Sequence, residues 1–181
     1  MTLNLKVIVC GPKGVGKSTI SNGICDYQIP VPSDYRPTKS IRILETEQEV
    51  TDENKKNNNF LATNSYNKTN IQLWDMGGDK ALERIWPAIK HEAHGAILII
   101  DGKNSKYENL IDEWINEFCL PEIPIEKILC IAYNKENQKS DNQKTSNQFP
   151  KLKIFETNYD LNNILPIFHR FIDDILNNIK K

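Results

Sequence analysis

The segment GPKGVGKST, residues 11–19, constrains the fold of this chain more than any other feature of its sequence. It fits the pattern G-x-x-x-x-G-K-[S/T], whose glycines let the backbone wrap around a phosphate group. An apolar run, LKVIVC, precedes it and a helical pattern follows at residues 18–27, so a nucleotide-binding α/β domain is predicted. The candidate phosphate-binding residues are Gly11, Lys13, Gly14, Val15, Gly16, Lys17, Ser18 and Thr19.

Apolar runs and helical patterns alternate along the rest of the chain. The predicted strands are residues 5–10, 40–47, 70–75, 95–101, 127–134 and 152–155, and the predicted helices are 18–27, 80–93, 105–118 and 160–180. This alternation predicts an α/β fold with a doubly wound, mostly parallel six-stranded sheet flanked by helices. We interpret residues 1–181 as one domain whose ligand lies at the carboxyl ends of the strands.

Two polar segments interrupt this pattern. Residues 48–69 are rich in asparagine and separate two strands that are expected to pair as a hairpin, so we predict an enlarged flexible loop there. Residues 136–151 have no apolar periodicity, so the helix expected between strands five and six is predicted to be lost.

Three further residues have the positions that a magnesium-dependent nucleotide site requires. Thr38 lies between the first helix and the second strand, and the sequence Asp75-Met76-Gly77-Gly78 ends the third. A hydroxyl from Ser18, a hydroxyl from Thr38 and the carboxylate of Asp75 are therefore the predicted Mg²⁺ ligands. The amide of Gly78 is predicted to contact the terminal phosphate, which Lys17 also reaches.

The predicted base-binding residues follow the fifth and sixth strands. Asn134 and Lys135 match the start of the guanine-reading pattern N-K-x-D, but Asn137 replaces its acidic residue. A carboxylate accepts two hydrogen bonds from guanine whereas an amide offers one acceptor, so guanine selectivity is open, with Glu136 and Asp141 as alternative readers. Thr157 and Asn158 end the last predicted strand, where a loop is expected to pack against the base.

The numbers of acidic and basic residues indicate which classes of partner the chain is not expected to bind. Lys and Arg total 23 against 24 for Asp and Glu, a net charge of −1 that argues against broad binding to nucleic acid or membrane surfaces. Residue 2 is not glycine and the last residues lack cysteine, so we expect no direct lipid anchor. The four cysteines form no C-x-x-C pair and are expected to be reduced thiols in a cytoplasmic protein.

At this point the chain resembles a known family, the Rab-like protein 5 group of Ras-like small GTPases. The resemblance rests on PTKSIRILETE, LWDMGGDKALERIWPAI, EAHGAILII, ILCIAYNK and LKIFETN. It implies a G domain that binds GTP or GDP with Mg²⁺, and the family's nucleotide-binding positions are matched at Lys17, Ser18, Thr38, Asp75 and Gly78. It also implies a subunit of intraflagellar transport complex B that docks on coiled-coil subunits, in the cytoplasm, the cilium and the ciliary base.

Asp79 occupies the place where a glutamine commonly positions the attacking water in active switch proteins. An aspartate is one methylene shorter and cannot donate a hydrogen bond while ionised. We therefore expect a structural or regulatory subunit with weak or no intrinsic hydrolysis. A turnover GTPase that needs an activating protein, a P-loop ATPase or kinase, and a scaffold with an empty pocket stay open as alternatives.

Overall fold

A seven-stranded sheet forms the centre of the structure, a computed structural model that describes residues 1–26, 37–104, 106–133, 143–158 and 160–179. The strands are β1 (Thr2–Cys10), β2 (Ile41–Glu49), β3 (Lys68–Met76), β4 (Gly95–Asp101), β5 (Ile128–Tyr133), β6 (Gln143–Thr145) and β7 (Lys153–Thr157). Their order across the sheet is β2-β3-β1-β4-β5-β7-β6. The predicted α/β class is confirmed.

The sheet is mostly parallel because β1, β3, β4, β5 and β7 pair side by side in one direction. β2 runs antiparallel to β3, from Ile41 opposite Met76 to Glu49 opposite Lys68, which confirms the predicted hairpin. Side chains of β1 alternate between two apolar cores, one on each face of the sheet. A strand buried on both faces reads as a continuous apolar run, as LKVIVC does.

The predicted number of six strands is wrong, because β6 adds a seventh at the edge of the sheet. β6 pairs antiparallel with β7, placing Lys144 opposite Ile154. Its sequence, QKT, is too short and polar for any apolar alternation to reveal it. Residues 143–152 contain no helix, as expected for that part of the segment.

Six α-helices lie in the described part of the chain: α1 (Lys17–Ile24), α2 (Asp52–Asn57), α3 (Asn59–Thr63), α4 (Trp86–Lys90), α5 (Tyr107–Trp114) and α6 (Leu161–Asn177). The predicted helix at 80–93 divides into a 3₁₀ helix, Lys80–Ile85, and α4. A π-helical turn, Ile115–Cys119, continues α5, and a short 3₁₀ helix, Ile125–Lys127, precedes β5. Within the described residues, every helix is too short or too polar to cross a bilayer.

The prediction of a flexible loop at residues 48–69 is wrong. β2 continues to Glu49, β3 begins at Lys68, and α2 and α3 fill most of the interval. Thr51 caps α2 in a reciprocal capping box with Asn54, and the side chain of Asn58 caps α3. Leu61 is fully buried in the core. These helices are too short for an apolar repeat to show, and their caps and tertiary contacts stabilise them instead.

The insertion is attached to the C-terminal helix as well as to the hairpin. The Asn58 side-chain amide donates hydrogen bonds to the backbone oxygens of Leu176 and Ile179, both at 2.9 Å. Buried Asn54 donates to the Asn177 side chain at 3.2 Å. Polar side chains therefore join α2 and α3 to the end of α6.

Candidate functional site

The glycine-rich loop connects β1 to α1 in the conformation that a phosphate-binding loop requires. Gly14 and Gly16 have φ of 83° and 87°, in the left-handed region that side chains other than glycine rarely adopt. Gly16 is the N-cap of α1, so the first backbone amides of this helix are directed toward the loop. The loop and the helix N-terminus together form a concave set of donors for an anion.

Lys17 lies at the start of α1, and its side chain is almost completely buried. Its amino group donates to the backbone oxygens of Gly11 at 2.9 Å and Pro12 at 2.7 Å. Burial lowers the pKa of Lys17, whereas Asp75 and Cys10 act in the opposite direction. The Lys17 amino group thus stabilises the start of the glycine-rich loop through these two hydrogen bonds.

The three predicted metal ligands come together at one end of the sheet. The hydroxyl oxygens of Ser18 and Thr38 lie 2.9 Å apart, although the residues belong to different segments. Asp75 is fully buried, and within the described part of the chain neither of its carboxylate oxygens accepts a hydrogen bond. Burial raises the pKa of Asp75, and the nearby Ser18 hydroxyl, Arg42 and Lys17 oppose this effect.

This arrangement fits a magnesium ion. Mg²⁺ prefers oxygen ligands and commonly uses one or two protein groups together with water and phosphate oxygens. Two adjacent hydroxyls and a buried carboxylate supply such a set, and buried polar oxygens require partners. The described residues contain no cluster of three or more His, Cys, Asp or Glu side chains.

Gly78 lies directly against the phosphate-binding loop. A Cβ atom at this position would lie 2.5 Å from the Gly11 oxygen, the Lys13 nitrogen and the Pro12 carbonyl carbon. Only glycine permits this close approach. The preceding residue, Gly77, donates its amide to the Ser40 backbone oxygen at 2.8 Å. The turn after β3 is therefore joined to the segment that carries Thr38.

Asp79 is exposed, and its carboxylate serves the local backbone. It is the N-cap of the 3₁₀ helix, where it accepts a hydrogen bond from the Ala81 amide at 2.9 Å. The next residue, Lys80, forms ion pairs with Glu113 and Glu117. In this geometry the Asp79 side chain stabilises the start of the 3₁₀ helix.

The predicted base-binding residues are only partly within the described chain. Asn134, Lys135 and Asn137 lie outside the described residues. Tyr133, the last described residue of β5, is in register with Thr157 on β7, so the ends of these strands adjoin. The Thr157 hydroxyl donates to the Asn158 backbone oxygen, and their contact with a base stays a prediction.

Arg42 belongs to the site although no sequence motif revealed it. It lies opposite Asp75 in the β2–β3 register, and its guanidinium is 3.5 Å from the Asp75 carboxylate. It also donates to the Asn22 side chain on α1 at 2.6 Å. The alternation of β2 placed polar residues between Ile41 and Ile43, but the hairpin register was needed to pair Arg42 with Asp75.

The glycine-rich loop, the residues grouped around it and the sheet order define a Ras-like P-loop G domain. A family model described as "Ras of Complex, Roc, domain of DAPkinase" matches residues 6–137. The Caenorhabditis elegans protein "Intraflagellar transport associated protein 2" is 30% identical over 171 residues, covering 82% of this chain and 68% of the relative. The human "Intraflagellar transport protein 22 homolog" is 26% identical over 184 residues, covering 99% and 94%. The chain belongs to the intraflagellar transport protein 22 family, the Rab-like protein 5 family of small GTPase-like proteins.

Solved structures share the fold. The GDP-bound T. brucei IFT22 crystal structure has a TM-score of 0.63 at 23% identity and covers 97% of each chain. The GTP-bound T. brucei IFT22/74/81 structure has a TM-score of 0.66 at 22% identity and covers 93% of this chain and 95% of its own.

Proposed function

We propose that this chain is a GTP- or GDP-binding subunit of the ciliary intraflagellar transport machinery with a structural or regulatory role. The observation that carries the proposal is the contact between the Ser18 and Thr38 hydroxyls beside the buried carboxylate of Asp75, which lies 3.5 Å from Arg42 but accepts no hydrogen bond within the described residues. Such an assembly costs free energy unless a ligand satisfies its buried oxygens. A nucleotide with Mg²⁺ supplies both the cation and the phosphate oxygens.

The proposed roles follow from the positions of the residues. The amides of the glycine-rich loop and the Lys17 amino group hold the β- and γ-phosphates, while the Gly78 amide contacts the γ-phosphate. Ser18, Thr38 and Asp75 hold Mg²⁺, the first two through hydroxyls and the last through water. The metal neutralises charge on the phosphates.

Weak or absent hydrolysis is part of this proposal. Catalysis of GTP hydrolysis depends on a residue that orients the attacking water. The Asp79 carboxylate lies at the corresponding place in this chain and accepts a hydrogen bond from the Ala81 amide. This use of the side chain favours a subunit that holds its nucleotide over one that turns it over rapidly.

We propose coiled-coil subunits of intraflagellar transport complex B as the protein partners and the cytoplasm, cilium and ciliary base as the location. The family membership supports the ciliary role, and the structure of T. brucei IFT22/74/81 supports a partner within the transport complex. We propose that protein contacts bring it to the transport complex.

Nucleotide titration of Lys17→Ala tests the binding proposal. Loss of a charge-assisted contact worth about 1.5–3 kcal/mol is expected to weaken binding of a fluorescent GDP analogue about tenfold or more. Exposed Lys56 on α2 offers a matched control, because Lys56→Ala removes the same charge away from the site. Equal affinities for Lys17→Ala and wild type would refute the assigned pocket, and competition with ATP would measure base preference.

A pull-down tests the partner proposal. Tagged chain is mixed with purified subunits equivalent to those in the T. brucei IFT22/74/81 structure, in the presence of GTP or GDP. Stable recovery of the subunits is expected. Failure to recover them with either nucleotide would remove the proposed partner while leaving nucleotide binding intact.

A further inference from the structure

Arg42 places a permanent positive charge beside the carboxylate that faces the metal position. One guanidinium nitrogen lies 3.5 Å from the Asp75 carboxylate, and cross-strand register brings the two residues together. The Asp75 side chain is fully buried while that of Arg42 is about one-third exposed, at 34%. An arginine remains protonated at every physiological pH, so this charge is always present.

A second contact holds the guanidinium in place. Another of its nitrogens donates to the Asn22 side-chain oxygen at 2.6 Å, and Asn22 lies on α1. The arginine therefore spans from β2 to the helix that follows the phosphate-binding loop. A side chain fixed at two points loses less freedom when it serves as a counter-charge than a mobile surface cation does.

The positive charge of Arg42 has opposite effects on the binding of a nucleotide and on the binding of Mg²⁺. When Mg²⁺ is absent, an isolated Asp75 carboxylate repels the phosphates of a nucleotide, and a neighbouring cation reduces this repulsion. When Mg²⁺ is present, the same cation repels the metal and competes with it for the carboxylate. Lys17 also lies in electrostatic range of Asp75, but it belongs to the phosphate-binding loop itself.

We propose that Arg42 is a built-in counter-cation for Asp75, which lets the site retain a nucleoside diphosphate with a weaker requirement for Mg²⁺. Arg42 is a positioning residue, since it acts on the nucleotide and the metal through Asp75. The inference rests on the proposed nucleotide-binding function.

The test compares affinities for a fluorescent GDP analogue with excess Mg²⁺ and with EDTA. For Arg42→Gln, the ratio of the dissociation constant in EDTA to that in Mg²⁺ is expected to exceed the wild-type ratio about tenfold. Arg42→Lys keeps the charge and is expected to lie nearer wild type. Arg84→Gln, at an exposed residue, removes one positive charge elsewhere and is expected to leave the ratio unchanged.

A magnesium titration separates this role from a merely structural one. At saturating GDP analogue, Arg42→Gln is expected to reach half-saturation at several-fold lower Mg²⁺ than wild type, because a repelling charge is gone. A purely structural role would weaken nucleotide binding equally in Mg²⁺ and EDTA and would not tighten Mg²⁺ binding. Thermal melting shows whether Arg42→Gln is folded. If it is not, the same nucleotide and Mg²⁺ affinities are measured for Arg42→Lys and Asn22→Ala and compared with wild type.

The EDTA ratio and the Mg²⁺ affinity together show whether Arg42 acts as a counter-cation for Asp75. A raised EDTA ratio together with tighter Mg²⁺ binding supports the inference. An unchanged ratio in folded Arg42→Gln overturns it but leaves the proposed function standing, because wild type then still binds nucleotide. Absence of nucleotide binding by wild type in Mg²⁺ overturns the inference and the proposed function together.

Discussion

Replacing Asn58 with alanine tests whether the insertion between β2 and β3 stabilises the domain. The Asn58 amide nitrogen donates to the Leu176 and Ile179 oxygens, each at 2.9 Å, and its side-chain oxygen accepts from the Phe60 amide at 3.0 Å. The Asn58 side chain thus forms hydrogen bonds with backbone groups at the end of α6 and at the start of α3. Both helix ends carry backbone groups with no partner within their own helix.

The expected loss follows from these contacts. Two hydrogen bonds of about 1 kcal/mol each and an N-cap of about 1 kcal/mol give a destabilisation of about 3 kcal/mol. For a domain of this size, that corresponds to a fall in melting temperature of about 9 °C. Such a loss is a large share of a typical folding free energy of roughly 5–15 kcal/mol.

Urea denaturation followed by circular dichroism measures this loss. Asn57→Ala is the matched control, because Asn57 is the exposed neighbour of Asn58 and its replacement is expected to change stability by no more than about 0.5 kcal/mol. Asn58→Asp keeps an acceptor for the cap but turns the donor into a charge facing carbonyl oxygens, so it is expected to destabilise as well. Equal unfolding midpoints for Asn58→Ala and Asn57→Ala would refute the docking of the insertion onto α6.

Two further predictions concern the site. Wild-type hydrolysis is expected to be no faster than on the order of 10⁻⁴ s⁻¹, and Asp79→Gln is expected to raise it, as measured by single-turnover phosphate release; a faster wild type, or a slower variant, would make Asp79 a working catalytic residue. Burial raises the pKa of Asp75 in the folded protein. The protonated side chain therefore contributes stability that is fully present below the ordinary carboxyl pKa of about 3.9 and is lost as the pH rises through the pKa of Asp75 in the folded protein. Asp75→Asn is therefore expected to raise the melting temperature of the nucleotide-free protein at neutral pH and to weaken Mg²⁺ binding; calorimetric pH profiles identical to wild type would contradict this.

The local features of the site could be read from the sequence. The loop from Gly11 to Thr19 is contiguous, and its glycines, lysine and serine act through neighbouring backbone geometry. Apolar runs such as GAILIID identify buried strands wherever they lie in a sheet. Asp75 is near the end of such a strand and Gly78 comes two residues after it, so their position at the carboxyl edge of the sheet was also predictable.

Tertiary structure decided the features that depend on residues far apart in the chain. The pairing of Arg42 with Asp75 requires the hairpin register, because one residue of slip would direct Arg42 to the other face. Helices α2 and α3 are short, and Asn58 stabilises them by hydrogen bonding to the end of α6, more than a hundred residues away. Strand β6 forms because β7 offers it a free edge. Long-range hydrogen bonds of this kind leave no periodic pattern in the local sequence, whereas a phosphate-binding loop carries its own geometry.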